Sequence, residues 1–358
     1  MSDLSKLREQ IDACDDEIIA ILKRRMDAVE KIGEIKRNEG GAVYRPERER
    51  QIIERLSKHC DGSKLSRAGI EAIFYEIFSL SRSLEGREKV AFLGPFGTYS
   101  HEASVSRFGQ NAIYEPITSI DGVFRQVERG AAKFGVVPIE NNTEGAVAAS
   151  YDSLGEHESI KVVGEIYLDI SHALCGVCAE IPCLERIYTH PQAYAQCRKF
   201  LAEHGLEGVE FVATSSTAKA AWLAKDDEKG AAICSKIAAK LSNIPVIFER
   251  IQDNLGNSTR FFVLSNAFCD KSGNDKTSII ASTEHKPGAL FDLLSIFAGL
   301  KINITKLESR PDKKHSFKSL FYIDIEGHKD DEIIAKALNS ARQSGHEIRV
   351  LGSYAVAK

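Results

Sequence analysis

The 358 residues carry a net charge of −4 at pH 7, with 27% of side chains charged. That balance excludes a cation-rich nucleic-acid binder and an acidic tail, while the length accommodates two or three domains. The N-terminus is charged from the outset and no apolar run reaches bilayer-spanning length. The eight cysteines stand mostly among small or apolar neighbours, so the expectation is a cytoplasmic protein with reduced thiols.

From Leu4 to Ile35 the apolar residues follow a heptad. Leu4, Ile11, Ile18 and Ile32 take one seam position, and Leu7, Cys14, Ile21, Ala28 and Ile35 take the other. No proline interrupts, so the pattern predicts one long helix. Arg25 breaks the first seam, with Arg8 and Lys36 on the neighbouring row. A buried cation costs several kcal/mol unless an anion pairs with it. One explanation is a coiled coil whose polar seam residue sets register. The other is an anion site. Arg8 and Arg25 lie roughly 25 Å apart on such a helix, and Arg25 and Lys36 roughly 16 Å. One helix cannot bring all three to a small molecule, but an antiparallel second copy can. A shared site therefore requires at least a homodimer.

Pro46 opens a second predicted helix through Ile52, Ile53 and Leu56, and a third runs from Leu65 to Leu84. Over residues 1–86 the segment resembles the all-helical chorismate mutase family. The marks are Leu7-Arg8 with Ile11 and Asp15, Arg25, Gly33 with Lys36, Tyr44-Arg45-Pro46-Glu47-Arg48-Glu49, Ser81 and Glu85. The resemblance implies conversion of chorismate to prephenate by a rearrangement that needs only positioning and electrostatics. It implies that Arg8 (from the partner chain), Arg25 and Arg48 hold the two carboxylates. Lys36 would donate to the breaking ether oxygen, Glu49 accept from the ring hydroxyl, and Ser81 assist a carboxylate. Glu85 stands where many members have glutamine, the second donor to the ether oxygen.

Beyond a short link, strands and helices alternate from Val90 to Phe248, which predicts mostly parallel α/β sheets. Polar turns stand at the strand ends: Gly94-Pro95-Phe96-Gly97-Thr98-Tyr99-Ser100, Glu140 to Gly145, Thr189-His190-Pro191-Gln192 and Thr214 to Thr217. Ligands in such sheets bind at those ends. The glycine spacing is not the dinucleotide pattern. The stretch Lys161–Val177 reads as extended. His172, Cys175, Cys178 and Cys183 fall close together, but His172 and Cys175, three apart on a strand, point to opposite faces and there is no second ligand pair at finger-like spacing, so no metal is expected. His190, before a proline, is read as ordering its turn. Asn257-Ser258-Thr259-Arg260 leads into the apolar run Phe261–Leu264, an interior strand with a hydroxyl and a cation at its mouth.

Residues 88–268 resemble prephenate dehydratase. The carrying motifs are Gly94-Pro-Phe-Gly-Thr-Tyr-Ser100, Val137-Pro-Ile-Glu-Asn141 with Gly145, His190-Pro-Gln-Ala193 with Gln196-Cys197, and Thr259-Arg260-Phe261. The resemblance implies two lobes of periplasmic-binding-protein type around a cleft, the second near residues 167–247. Thr259 would serve the departing hydroxyl, Arg260 a carboxylate or the loop, and Asn141, Thr189 and Gln196 would be supporting donors.

After a polar link the predicted order is βαββαβ over residues 277–358, a ferredoxin-like unit. It resembles an ACT regulatory domain of the phenylalanine-sensing kind, on Pro287-Gly288-Ala289-Leu290 and Leu307-Glu308-Ser309-Arg310-Pro311. Gly288, Ala289, Leu290, Asn303, Glu308, Ser309 and Arg310 would receive the amino acid. A structural dimerisation module is the alternative. The whole is expected to be a multidomain α + α/β + α+β chain. Its expected function is bifunctional chorismate mutase and prephenate dehydratase activity in L-phenylalanine biosynthesis, inhibited by phenylalanine, without cofactor, metal, nucleic-acid or membrane partner. The competing expectation is a non-catalytic amino-acid sensor on the same folds.

Overall fold

The computed structural model describes residues 3–39, 46–60, 63–85, 88–178, 180–284, 286–312 and 319–357, without the side chains of 36–39, 46 and 85. Two units are described separately.

The helical unit contains α1 (Asp3–Glu39), α2 (Pro46–Ser57) and α3 (Arg67–Glu85). The 37 residues of α1 make a rod of about 55 Å. Its heptad seams stay largely uncovered by their own chain: Leu4, Leu7, Ile11, Ile18, Ile21, Ile32 and Ile35 are all exposed. Only Val29 and Gly33 are buried among the described residues of α1. α3 packs against both α1 and α2, burying Ile70 and Phe78.

The second unit starts with β1 (Lys89–Leu93), α4 (Tyr99–Phe108), β2 (Ile113–Ile117), α5 (Ile120–Glu128), β3 (Phe134–Asn141), β4 (Gly145–Ala146), α6 (Ala148–Glu156) and β5 (Lys161–Asp169). These strands form a sheet in the order β2-β1-β3-β11-β5, with β4 on β3; β11 (Ser258–Ser265) arrives from much later in the chain. β1 and β3 run parallel, whereas β11 is antiparallel to both neighbours. Val90, Ala91, Phe92, Val136 and Val137 are fully buried, as a strand covered on both faces requires.

Between β5 and β11 lies a second lobe. It comprises β6 (Ala173–Gly176), β7 (Arg186–Thr189), α7 (Pro191–Ala195), α8 (Arg198–Glu203), β8 (Glu210–Ala213), α9 (Thr217–Ala224), β9 (Gly230–Cys234), α10 (Lys236–Ser242) and β10 (Val246–Phe248). Its sheet order is β10-β6-β9-β7-β8. The β7 pairings are parallel, but β6 and β10 pair antiparallel. Both sheets are thus mixed rather than mostly parallel, because the chain enters and leaves the second lobe through adjacent strands. The extended stretch Lys161–Val177 is correspondingly two strands, interrupted at Ile170–His172 where the chain crosses between lobes.

The C-terminal part comprises β12 (Asp275–Ser282), α11 (Ala289–Gly299), β13 (Ile304–Pro311), β14 (Ser319–Glu326), α12 (Glu332–Gln343) and β15 (Glu347–Ala355). The antiparallel order β13-β14-β12-β15 is the ferredoxin-like arrangement. One sheet face buries Ile279, Ala281, Ile323 and Ile325 against Leu293 and Phe297 of α11 and Ala337 of α12. The opposite face is also covered: Ile280, Tyr322, Leu351 and Tyr354 join Phe262, Tyr151 and Leu154 of the first lobe. β15 crosses β5 so closely that a Cβ on Gly352 would collide with the Val162 backbone.

Candidate active sites

In the helical unit, Arg25 and Ser81 are brought together. The half-buried Arg25 guanidinium donates to Ser81 Oγ at 2.5 Å and lies 5.9 Å from the Phe78 ring centroid. Burial lowers its pKa from the ordinary arginine value. Ser81 Oγ donates in turn to the Ile77 carbonyl at 2.6 Å, so the serine holds Arg25 rather than offering a free donor. Glu49 is buried and ion-paired through Oε1 with Arg82, itself buried. Among the described residues Glu49 Oε2 is buried without a hydrogen-bond partner, an acceptor that a ring hydroxyl could satisfy. Arg8 and Arg48 are exposed, and Arg48 reaches Gln51 at 3.5 Å. The side chains of Lys36 and Glu85 lie outside the described residues. Sequence reasoning missed Arg82. Its signal was a cation four residues after Phe78, in the row of α3 that also carries Phe74.

A cleft of about 540 Å³ opens between the two lobes. Three sequence-predicted residues line it: Asn141, Gln196 and Thr259. Asn141 Oδ1 accepts the Thr143 and Glu144 backbone N–H groups at 3.0 and 3.1 Å, which fixes its amide nitrogen as the donor. That nitrogen donates to Thr259 Oγ1 at 2.8 Å and to Asn257 Oδ1 at 2.7 Å. Across the cleft, His172 Nε2 lies 2.9 Å from Gln196 Oε1, and His172 Nδ1 lies 2.9 Å from the Tyr99 hydroxyl. Burial lowers the His172 pKa, partly offset by the bond to Gln196. The ring is therefore neutral near pH 7. Where Nε2 carries the proton, Gln196 Oε1 accepts it and the glutamine amide nitrogen is left as a donor.

Helix starts supply further donors: Thr98 to Ser100 before and within α4, and Ser215 to Thr217 at α9, where Ser216 caps the helix by accepting from Lys219 N at 3.1 Å. Such ends carry unpaired N–H groups and favour carboxylates. Among the described lining residues there is no lysine or arginine. His190 caps α7, accepting from Gln192 N at 3.3 Å, the turn-ordering role expected of it.

Two predicted cleft donors lie elsewhere. Thr189 is fully buried and donates to the Ile233 carbonyl at 2.8 Å, so its hydroxyl serves the second-lobe sheet. Arg260 follows Thr259 on one strand and therefore points to the opposite face. It is 3% exposed and donates to Glu165 at 2.8 Å, Asp324 at 2.6 Å and the Tyr354 hydroxyl at 3.1 Å. Desolvation opposes its charge, yet Tyr354, Asp324 and Glu165 outweigh that and raise its pKa. Arg260 binds protein carboxylates, not the cleft's ligand.

In the C-terminal part, Gly288 sits at φ +84° before α11, a region favouring glycine. Ala289 is buried and Leu290 half-buried. Asn303 is exposed and donates to Glu326 at 2.9 Å. On β13, Ser309 is exposed and Glu308 half-buried, and Arg310 lies 3.4 Å from Asp152 of the first lobe. β13 is an edge strand.

Each segment matches a family model: Chorismate mutase type II over residues 7–86, Prephenate dehydratase over 90–268, and ACT domain over 277–343. The molecule thus joins two enzyme classes to a regulatory module. The bifunctional chorismate mutase/prephenate dehydratase of Aquifex aeolicus is 40% identical over 99% of this chain and 98% of its own length. That of Pseudomonas aeruginosa is 39% identical over 98% and 97%. The chain belongs to the bifunctional chorismate mutase/prephenate dehydratase family. Among solved structures, the prephenate dehydratase of Arthrobacter aurescens in complex with L-Phe is 35% identical, with a TM-score of 0.69 over 75% of this chain and 90% of that one.

Proposed function

We infer that this chain converts chorismate to prephenate in residues 1–86 and prephenate to phenylpyruvate in residues 88–268. Residues 277–358 lower the second activity when they bind phenylalanine. It is an isomerase and a carbon–oxygen lyase of phenylalanine biosynthesis. A cytoplasmic location belongs to this reading; among the described residues no helix is long and apolar enough to cross a membrane.

The observation that carries the reading is the Asn141–Thr259 bond. Because Asn141 donates to Thr259 Oγ1, the threonine's own proton is left to point at a ligand. In the dehydration, the bond to the ring carboxylate breaks and its electron pair enters the ring as carbon dioxide leaves. The ring hydroxyl departs at the same time and takes a proton at or through Thr259, leaving as water. Threonine is a weak acid, so aromatisation supplies the drive and Thr259 the placement. Asn141 and Gln196 orient the substrate, and the helix starts of α4 and α9 receive its carboxylates.

For the mutase we propose a homodimer. The uncovered seams of α1 fit a second copy running antiparallel, whose Arg8 would enter a site otherwise about 25 Å away. Arg25, held by Ser81, would bind one carboxylate with Arg48 and the partner's Arg8. Lys36 and Glu85 would face the ether oxygen, and Glu49, held by Arg82, would accept from the ring hydroxyl. Phenylalanine would lie at Gly288, Ala289, Leu290 and Asn303, with Glu308, Ser309 and Arg310 completing the site.

The test is purified protein supplied with chorismate, following prephenate and phenylpyruvate with and without phenylalanine. Both products should form, and phenylalanine should suppress the second. Prephenate accumulating without phenylpyruvate would sink the dehydratase reading alone.

A further inference from the structure

Behind the cleft, two adjacent cross-strand pairs do different things. Thr259 stands opposite Asn141, and Arg260 opposite Glu140. The first pair lines the cleft, whereas neither member of the second does. Arg260 and Glu140 instead reach the C-terminal sheet. Arg260 donates to Asp324 of β14 and to Tyr354 of β15. Glu140 ion-pairs with Lys306 of β13, and its other oxygen lies 3.9 Å from Arg260. The network closes on itself: Ser278 Oγ donates to Asp324 at 2.5 Å and lies 2.6 Å from the Tyr354 hydroxyl. Lys276 Nζ reaches both Glu165 oxygens at 2.9 Å.

The core of this network is buried, whereas Lys306 and Glu140 keep 29% and 23% side-chain exposure. Glu165 is 0% and Arg260 3% exposed at the side chain, so displacing either strands the other away from water. A shift of β14 at Asp324 therefore cannot be absorbed locally by solvent, and a shift of β13 pulls on Glu140 through the Lys306 ion pair. Both act on residues, Arg260 and Glu140, whose backbones are continuous with Thr259 and Asn141.

We propose that Arg260 and Glu140 are positioning residues through which the C-terminal sheet sets the geometry of the Thr259–Asn141 pair. The proposal rests on Thr259 serving the departing hydroxyl and supplies the physical link from regulator to cleft. Lys306 lies two residues from Glu308, so an amino acid held near Glu308–Arg310 acts on the very strand that grips Glu140.

The experiment uses the full-length protein and three variants: Lys306→Met, Lys306→Arg and Arg260→Lys. It measures kcat and KM for phenylpyruvate formation, the mutase rate, and phenylalanine affinity by calorimetry. Lys306→Met should keep the mutase rate and still bind phenylalanine. The suppression of dehydratase kcat/KM by saturating phenylalanine should weaken by about fivefold or more. Lys306→Arg should restore it. Arg260→Lys keeps the charge but not the fork, and should lower kcat about tenfold with KM little changed.

Unaltered suppression in Lys306→Met together with unaltered kcat in Arg260→Lys would overturn the proposal and leave the network as cement between domains. A wild type that makes phenylpyruvate but ignores phenylalanine removes the coupling, and the kcat of Arg260→Lys then decides the positioning role by itself. If Arg260→Lys does not fold, the Lys306 pair decides.

Discussion

Asn141 donates its amide hydrogen to Thr259 Oγ1 at 2.8 Å. The direction of that bond matters more than its length, because a Thr259 Oγ1 that accepts there keeps its own proton for a further acceptor. Thr259→Ala should lower phenylpyruvate formation by about 100-fold or more, while Thr259→Ser should keep most of it. Mutase turnover should be unchanged in both, since that chemistry belongs to the helical unit. Dehydratase activity of the alanine variant within about threefold of wild type would remove Thr259 from the reaction.

His172 ties the pH response to the same cleft. Its pKa in the folded protein is lowered, by burial first, below the unfolded value near 6.5. A histidine depressed in this way contributes stability that is present above the unfolded pKa and lost as pH falls through the folded one. Dehydratase turnover should therefore hold through pH 6.5 and fall at lower pH, as protonation puts a positive charge on the buried ring between Tyr99 and Gln196. His172→Gln should remove that acid limb while leaving the mutase profile alone. An unchanged acid limb in this variant would show that another group sets it.

Complementation tests the shared mutase site. Arg8→Ala homodimers and Lys36→Ala homodimers should each be inactive as mutases. Mixed dimers carry one site free of both substitutions, so about a quarter of wild-type activity should return in a statistical mixture. Heterodimers demonstrated by mass spectrometry yet still inactive would mean that Arg8 acts within its own chain.

Glu85 makes a separate pH argument for the mutase. A carboxyl donates to the ether oxygen only when protonated, whereas glutamine donates at any ordinary pH. Mutase turnover should fall as pH rises through the Glu85 pKa, and Glu85→Gln should flatten the profile and keep activity in alkali. A wild-type profile already flat would exclude Glu85 as the second donor.

The effector site needs a careful choice of variant. Gly288 has φ +84° with open space around it, so Gly288→Val would strain the backbone whether or not a ligand binds there. Asn303 is exposed on its own loop, and Asn303→Ala should weaken phenylalanine binding about tenfold while leaving uninhibited turnover intact. Unchanged affinity in calorimetry would place the amino group elsewhere.

The order of helices, lobes and the ferredoxin-like unit was legible because apolar period and turn residues mark them directly. What misled was adjacency. Thr259 and Arg260 read as one polar mouth, yet a strand sends neighbours to opposite faces, and Glu165 of β5 together with the docked C-terminal sheet explains a cation there. Thr189 looked like a strand-end donor for the same reason, before burial assigned its hydroxyl to Ile233. His172 was weighed only as a metal ligand. Its place over Tyr99 and Gln196 depends on the chain crossing between lobes at that residue, which no local pattern reveals. Arg82 was within reach, since a cation in the row of Phe74 and Phe78 demands a buried anion, and Glu49 is that anion.

The bare flank of α1 has a consequence for anyone working with dilute enzyme. If each copy relies on another to cover Leu4, Leu7, Ile11 and Ile18, the mutase is a second-order assembly obeying mass action, whereas a single chain already lines the cleft at Thr259 from both lobes. Lowering the protein concentration should therefore erase the first reaction before the second. Relative rates measured at nanomolar and micromolar enzyme would then differ without any change in either site.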